Sequence, residues 1–148
     1  MIPPERAIVI DADLAITIAP AGEIVVLDVW SGVAPDLAGV SAMQVEPRRW
    51  WLLDPGQKLG PIAQALGEQG ALTLIGGGLM CATLRGPGWR AQLMIGGLFD
   101  AESAGFKPGD CAATLLHHTP VWINVVSAHE AHVYFAASLT EDLRALWA

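Results

Sequence analysis

The sequence is short of charge, and the charge that it carries is mostly acidic. Only 16% of its 148 residues are charged, and 15 acids against 8 bases give a formal net charge of -7. No basic cluster exceeds the pair Arg48-Arg49. Because nucleic acids and anionic membranes are bound through basic patches, this composition argues against both as partners. Sparse charge fits a chain that covers part of its surface with another protein, and it equally fits a compact monomer.

Cysteine and long apolar segments are also scarce. Cys81 and Cys111 are isolated in the sequence, which favours free buried thiols over a disulfide. The longest charge-free apolar stretch, residues 71–84, contains three consecutive glycines and is too short to cross a bilayer. The first residues show neither the basic nor the apolar segment of a secretion signal. We therefore expect a cytoplasmic location.

The apolar fraction of 53% is enough for a buried core at this length. Apolar alternation begins at 14–18, and β-branched or apolar segments predict strands at 23–30, 50–53, 79–84, 112–117, 121–126 and 131–136. Helices are predicted at 33–40, 59–66 and 89–95. A final helix runs to residue 146, with Ser138 and Glu141 as its capping box.

The order strand, glycine break, helix, strand, helix occurs twice. This weak repeat predicts an α+β fold of one domain, residues 1–148, built from two small strand–helix–strand–helix lobes. The lobes would span about 1–70 and 71–148, with mostly antiparallel sheets and helices on one face.

The glycine clusters do not carry a nucleotide-binding signature. Residues 76–78 are three glycines, but no Lys followed by Ser or Thr completes a phosphate loop. Gly86-Pro87-Gly88 has only the first part of a dinucleotide fingerprint, and its proline removes a backbone donor. Six tryptophans are many for this length, and the adjacent Trp50 and Trp51 must face opposite sides of their strand.

The histidines favour surface positions over a zinc site. His117 and His118 are adjacent on a predicted strand, so their side chains should face opposite ways. His129 and His132 flank a predicted turn. We therefore predict no metal site.

The sequence also offers no clear nucleophile or general acid. Cys81 and Cys111 lie at apolar strand starts, where thiols stay protonated. Asp28 is the best candidate for a carboxylate in an apolar setting, but on a half-exposed strand it is expected to point to solvent. We predict no catalytic residues.

Several short motifs together resemble the γ subunit of heterotetrameric sarcosine oxidase. They cover most of the chain, and they are PRRWWLL at 47–53, LRGP at 84–87, FKPG at 106–109 and CAATLL at 111–116. That family is in turn similar to the folate-binding module of the glycine-cleavage aminomethyltransferase. In the transferase, the stretch that matches residues 71–77 contains an aspartate and a serine, and this chain has neither.

The resemblance implies a non-catalytic accessory subunit of a complex that oxidatively demethylates an N-methyl amino acid. It implies that flavins and NAD are bound by partner subunits and that this chain binds no cofactor. One alternative is a stand-alone folate or small-ligand binding module, in which Arg85 would contact an anion. Another is a homo-oligomer without oxidase partners.

Overall fold

The computed structural model of the protein describes residues 6–11, 13–31, 33–37, 39–75, 77–95 and 106–147. In chain order its strands are β1 (Arg6–Asp11), β2 (Leu14–Pro20), β3 (Ile24–Val29), β4 (Ser41–Glu46), β5 (Arg49–Leu53), β6 (Gly70–Ile75), β7 (Leu79–Arg85), β8 (Cys111–Leu116), β9 (Thr119–Ser127) and β10 (Glu130–Ala136). The α-helices are α1 (Leu59–Leu66), α2 (Trp89–Met94) and α3 (Thr140–Trp147). Two antiparallel sheets with three helices confirm the predicted α+β class.

The chain divides into two compact units. One is continuous, Gly22–Gly77, and the other combines Met1–Ala21 with Gly78–Ala148. The first 21 residues therefore belong to the unit that holds the second half of the chain. The predicted lobe boundary near residue 70 falls at the start of β6, the last strand of the continuous unit.

The discontinuous unit contains a six-stranded sheet in the order β1-β2-β7-β10-β9-β8. Alternate residues of β2, β7, β9 and β10 are buried on one face, where they pack with Leu116 of β8 and with side chains of α2 and α3. The largest buried side chains of this core are Trp89, Phe135 and Trp147. Tryptophans on both helices thus close the inner face of this sheet.

The continuous unit contains a four-stranded sheet in the order β4-β5-β3-β6. One face packs against α1 through a smaller buried cluster, made of Val25, Leu27, Val29, Leu52, Ile62 and Leu66. Helix α1 coincides with the predicted helix and ends at Gly67, whose φ of 52° favours glycine. Trp51 is buried and Trp50 is half-buried, on opposite faces of β5.

One predicted helix is wrong, and three strands were missed. Residues 33–37 and 39–40 form no helix, although Val33, Leu37 and Val40 have helical spacing. Val33 is 76% exposed, so this spacing does not mark a buried face. Strands β1, β4 and β6 were not predicted.

The last helix begins differently from its prediction. Residues 137–139 form a 3-10 turn that contains Ser138, and α3 begins at Thr140. The Thr140 hydroxyl donates to the carbonyl oxygen of Ala137 at 2.7 Å. The predicted capping box of Ser138 and Glu141 is therefore wrong, because Ser138 lies inside the turn. In the described parts of the chain, no helix is long and apolar enough to cross a membrane.

Candidate functional site

Arg85, the predicted anion contact, lies at the end of β7 directly opposite Glu130 on β10. Its Nε donates to Glu130 Oε1 at 2.8 Å, and Glu130 Oε2 lies 2.8 Å from His132 Nε2. The hydrogen bond from Arg85 is the largest cause that lowers the pKa of Glu130. The guanidinium is 67% exposed but is engaged by this carboxylate. Anion binding by Arg85 stays a prediction.

The same face of the sheet continues from this ion pair toward a buried thiol. The rings of His132 and Tyr134 are perpendicular neighbours, with centroids 6.5 Å apart. Tyr134 is paired with Cys81 across β7 and β10. Burial raises the pKa of Cys81 to about 11, against the opposing effect of hydrogen bonds with Tyr134 and Thr83. This thiol therefore stays protonated at neutral pH and is a poor nucleophile.

Cys111 at the start of β8 has the same character. Burial alone raises its pKa to about 11. Both cysteines are free. The prediction of unpaired, protonated thiols is confirmed for both residues.

His117 and His118 do not lie on a strand as predicted. They form the two-residue turn between β8 and β9, with φ angles of 46° and 70°. Such positive angles suit a type I′ turn and are uncommon for residues with a side chain. The two rings lie 5.3 Å apart and line one cavity of about 560 Å³, so the prediction of opposite faces is wrong.

The remaining lining of this cavity comes from the start of β9 and from α3 and the turn before it. It consists of Thr119, Leu139, Asp142, Ala145 and Leu146. Asp142 is the one carboxylate in a described lining that also contains the two imidazoles. Within the residues that the structure describes, no group of three or more His, Cys, Asp or Glu could hold a metal ion.

Asp28 does not point freely to solvent, and that prediction is wrong. Its side chain is 24% exposed and accepts a 2.7 Å hydrogen bond from Nε of Arg49, the residue paired with it on β5. Glu46 lies 3.4 Å from the same guanidinium. Because Asp28 is neutralised by a cross-strand arginine, it is poorly placed to act as a general acid or base.

The sequence motifs of the resemblance are parts of the scaffold. In the LRGP motif, Gly86 has a φ of 125°, and a Cβ there would lie 2.0 Å from the carbonyl oxygen of Asp13. The FKPG motif is a turn in which Asp110 accepts a hydrogen bond from the Lys107 N–H at 2.8 Å. The CAATLL and PRRWWLL motifs contain β8 and β5. These motifs therefore form strands and turns of the fold, and they do not by themselves mark a functional site.

Sequence reasoning missed the ion pairs because they join distant positions. Arg85 and Glu130 meet only through the β7–β10 register, which no local pattern reveals. Glu130 and His132 could have been recognised as neighbours, because residues two positions apart on a strand lie on the same face of the sheet. That spacing was the signal available for this part of the site.

No family model and no curated protein matches the sequence. Among solved structures, a similar chain occurs in the heterotetrameric sarcosine oxidase from Corynebacterium sp. U-96 in complex with pyrrole 2-carboxylate. The TM-score is 0.72, and the match covers 90% of this chain and 82% of that chain at 16% identity. At this identity the similarity is one of fold. The chain has the fold of one component of a sarcosine oxidase complex.

Proposed function

We propose that this chain is a non-catalytic accessory subunit of a sarcosine oxidase-type complex, in the position of the γ subunit. The observation that carries the proposal is the shared fold with a chain of a heterotetrameric sarcosine oxidase, over 90% of this chain. The sequence motifs resemble the γ family independently of that comparison. In the proposed complex, partner subunits hold the flavins and NAD and oxidise the N-methyl amino acid.

The electrostatics of the described groups support an accessory role. Asp28 and Glu130 are each hydrogen-bonded to an arginine, and the hydrogen bond from Arg85 lowers the pKa of Glu130. The thiols of Cys81 and Cys111 have pKa values of about 11. Groups in these states hold structure together and are unsuited to nucleophilic or acid–base steps. Unpaired cysteines also fit the reducing cytoplasm, where we place the complex.

The test is purification of the tagged chain from its native cell. We expect it to bring down flavin-containing subunits, identified by mass spectrometry and by flavin fluorescence. The isolated complex should oxidise sarcosine or another N-methyl amino acid, and the tagged chain expressed alone should not. Recovery of the chain without any flavoprotein, at native expression level, would contradict the proposal.

A second measurement separates an accessory role from a folate-binding module. We expect a reduced folate, added to the isolated chain up to millimolar concentration, to leave tryptophan fluorescence unchanged. Saturable quenching that is lost in Arg85→Ala would instead favour ligand binding by this chain.

A further inference from the structure

The two edge strands of the four-stranded sheet, β4 and β6, differ in how well they are protected against pairing with a further strand. Strand β4 has a register irregularity between Gln44 and Glu46 and carries a charge at its end. Strand β6 pairs with β3 through all six residues without a shift, and its sequence, GALTLI, has no charge and no proline. Charges, prolines and bulges are what usually prevent an edge from pairing with another strand. Strand β6 therefore has the features of an edge that accepts a strand.

Leu72 and Leu74 of β6 direct their backbone groups away from β3. Just before β6, the N–H of Trp30 donates to the carbonyl of Gln69 at 2.8 Å. In an antiparallel pair of strands, hydrogen-bonded residue pairs alternate with non-hydrogen-bonded pairs. The backbone groups of odd-numbered residues of β6 therefore bond to β3, and those of even-numbered residues point away from β3. Of the described strands, β3 alone pairs with β6. Those outward donors and acceptors match the backbone of an added strand.

An apolar cavity of about 230 Å³ lies beside this edge. Leu72 and Leu74 form one wall, and Val25 and Leu59 contribute from β3 and α1. Leu74 is 64% exposed, so its side chain is accessible to a partner. The volume is several times the share of one water, about 30 Å³, and leaves room for one aliphatic side chain. Alternate side chains of a strand added to β6 would face this cavity.

The charge beside the cavity is negative. Glu23 is the one charged residue in its described lining. Asp54 lies next to Glu23, because its Oδ1 accepts a 3.0 Å hydrogen bond from the Glu23 backbone N–H. Lys58, the base nearest to the cavity along the chain, donates to the carbonyl oxygen of Gly39. A partner with Lys or Arg beside an apolar residue would complement this charge.

We propose that the edge of β6 binds an extended segment of a partner protein in which a basic residue lies two positions from an apolar residue, so that both side chains face the cavity. The segment adds a strand to the sheet, places an apolar side chain in the cavity, and places a basic side chain near Glu23. Backbone hydrogen bonds supply affinity, and the cavity and the carboxylate supply specificity. The proposal does not rest on the oxidase assignment, since it concerns this edge whichever complex supplies the strand.

The test uses the full chain and a fluorescent peptide, acetyl-Thr-Lys-Thr-Val-Thr-Leu-amide, whose lysine, valine and leucine share one face, with binding read by anisotropy. We expect saturable binding that is at least ten-fold tighter than that of a matched peptide with glutamate in place of lysine. A peptide N-methylated at every residue, which can donate no backbone hydrogen bond to the edge in either orientation, should also bind at least ten-fold more weakly.

Paired variants locate the site. Leu74→Lys places a charge on the outward edge and in the cavity wall, and we expect it to reduce affinity at least ten-fold. Thr73→Lys adds the same charge to an exposed residue whose side chain faces the other side of the sheet, and it should change affinity less than three-fold. Glu23→Lys should reverse the preference between lysine and glutamate peptides. Far-UV circular dichroism confirms that each variant is folded.

Three results would overturn the proposal. One is the lack of saturable binding at millimolar peptide. Another is equal binding of the N-methylated peptide, since binding would then not depend on backbone hydrogen bonds to β6. The third is a dimer of this chain, seen by light scattering, that Leu74→Lys dissociates, because the occupant would then be a second copy.

Discussion

The two units of the chain each bury one face of an antiparallel sheet, but they do so with side chains of different size. In the six-stranded unit, Trp89 and Trp147 are 0% and 2% exposed, and they pack beside Phe135. In the four-stranded unit, α1 supplies Ile62 and Leu66 to a smaller cluster that is bordered by half-buried side chains. Because stabilisation scales with the apolar area removed from water, we expect the six-stranded unit to be the more stable.

The units also differ in how their buried polar groups are satisfied. In the six-stranded unit the indole N–H of Trp89 donates to the carbonyl of Ala128 at 3.0 Å, whereas the buried indole N–H of Trp147 has no hydrogen-bond partner among the described residues. In the four-stranded unit the described ion pair of Asp28 and Arg49 is partly exposed. The unpaired donor of Trp147 offsets part of the stabilisation that the larger core contributes.

The largest expected effect is that of Trp89→Ala. Removing a fully buried tryptophan and its hydrogen bond should lower the free energy of unfolding by about 4 kcal/mol. Urea unfolding followed by circular dichroism measures this. Trp30→Ala is the control, since Trp30 is 56% exposed and should cost less than about 1 kcal/mol. Equal losses in the two variants would mean that the aromatic core is not what stabilises the six-stranded unit.

Gly86 and Gly77 form a matched pair of glycines with positive φ. Both would strain an alanine, but a Cβ at Gly86 would also lie 2.0 Å from the Asp13 carbonyl oxygen, whereas no described residue lies within 4 Å of one at Gly77. We expect Gly86→Ala to lower the free energy of unfolding by about 3 kcal/mol and Gly77→Ala to lower it by about 1 kcal/mol. Thermal unfolding at matched pH gives the difference. Similar melting temperatures would show that the turn after β7 can move away from Asp13.

The thiols provide a kinetic probe of the six-stranded unit, since Cys81 and Cys111 both lie in it. At pH 8, a pKa of about 11 in place of 9.0 lowers the thiolate fraction about 100-fold. We expect labelling by a disulfide reagent to be slower than that of unfolded protein by about this factor, and to rise about tenfold per pH unit up to pH 10. Cys81→Ser isolates the second thiol. Fast labelling at pH 8 would show that this unit opens readily.

Leu84→Ala and Leu52→Ala compare the two cores directly, because both leucines are 0% exposed. We expect Leu84→Ala to lower the free energy of unfolding by about 3 kcal/mol and Leu52→Ala by about 2 kcal/mol, since the partly buried border of the smaller cluster can collapse around the missing side chain. Hydrogen exchange by mass spectrometry assigns each loss to its own unit. Equal costs would remove the difference in packing that the structure indicates.

The smallest effect concerns Arg85 and Glu130. The folded-state pKa of Glu130 is lowered mainly by Arg85, so the stabilisation is present above about pH 4.5 and is lost as the pH falls through the lowered pKa. Arg85→Met should raise the pKa of Glu130, measured by carboxyl ¹³C NMR. The loss of unfolding free energy at pH 7 should stay below about 1 kcal/mol, because the Arg85 side chain is 67% exposed and solvent screens the pair. An unchanged pKa would mean that His132 alone holds the carboxylate.

Local patterns predicted much of the fold where one element buries one clear face. Helix α1 was recognised from Pro61 in its first turn and Gly67 at its end, and Ile62 and Leu66 form its buried face. Strand β4 was not predicted from the sequence, because only Met43 in its sequence, SAMQVE, is buried. The helix predicted at 33–40 was wrong for another reason. Leu37 and Val40 are partly buried against the smaller core but Val33 is 76% exposed, so the three residues do not share one buried face.

The candidate site was harder to predict than the elements that carry it. Arg85 was singled out, but its partner lies 45 residues away and depends on strand register. His117 and His118 were placed on a strand because two histidines are unusual in a type I′ turn, which normally takes asparagine and glycine. Asp28 was assigned to solvent because its neighbour Arg49 is adjacent only across the sheet.

The order in which the ribosome makes this chain follows from the discontinuous unit. Strand β2 pairs with β7, yet the whole segment Gly22–Gly77 is synthesised between them. At a synthesis rate of about 5–20 residues per second, roughly 3 to 11 seconds pass between the synthesis of β2 and that of its partner β7. The four-stranded unit is complete by then and can fold first. During synthesis the buried face of β2 is therefore an exposed apolar surface, and this interval is when the nascent chain most needs a chaperone.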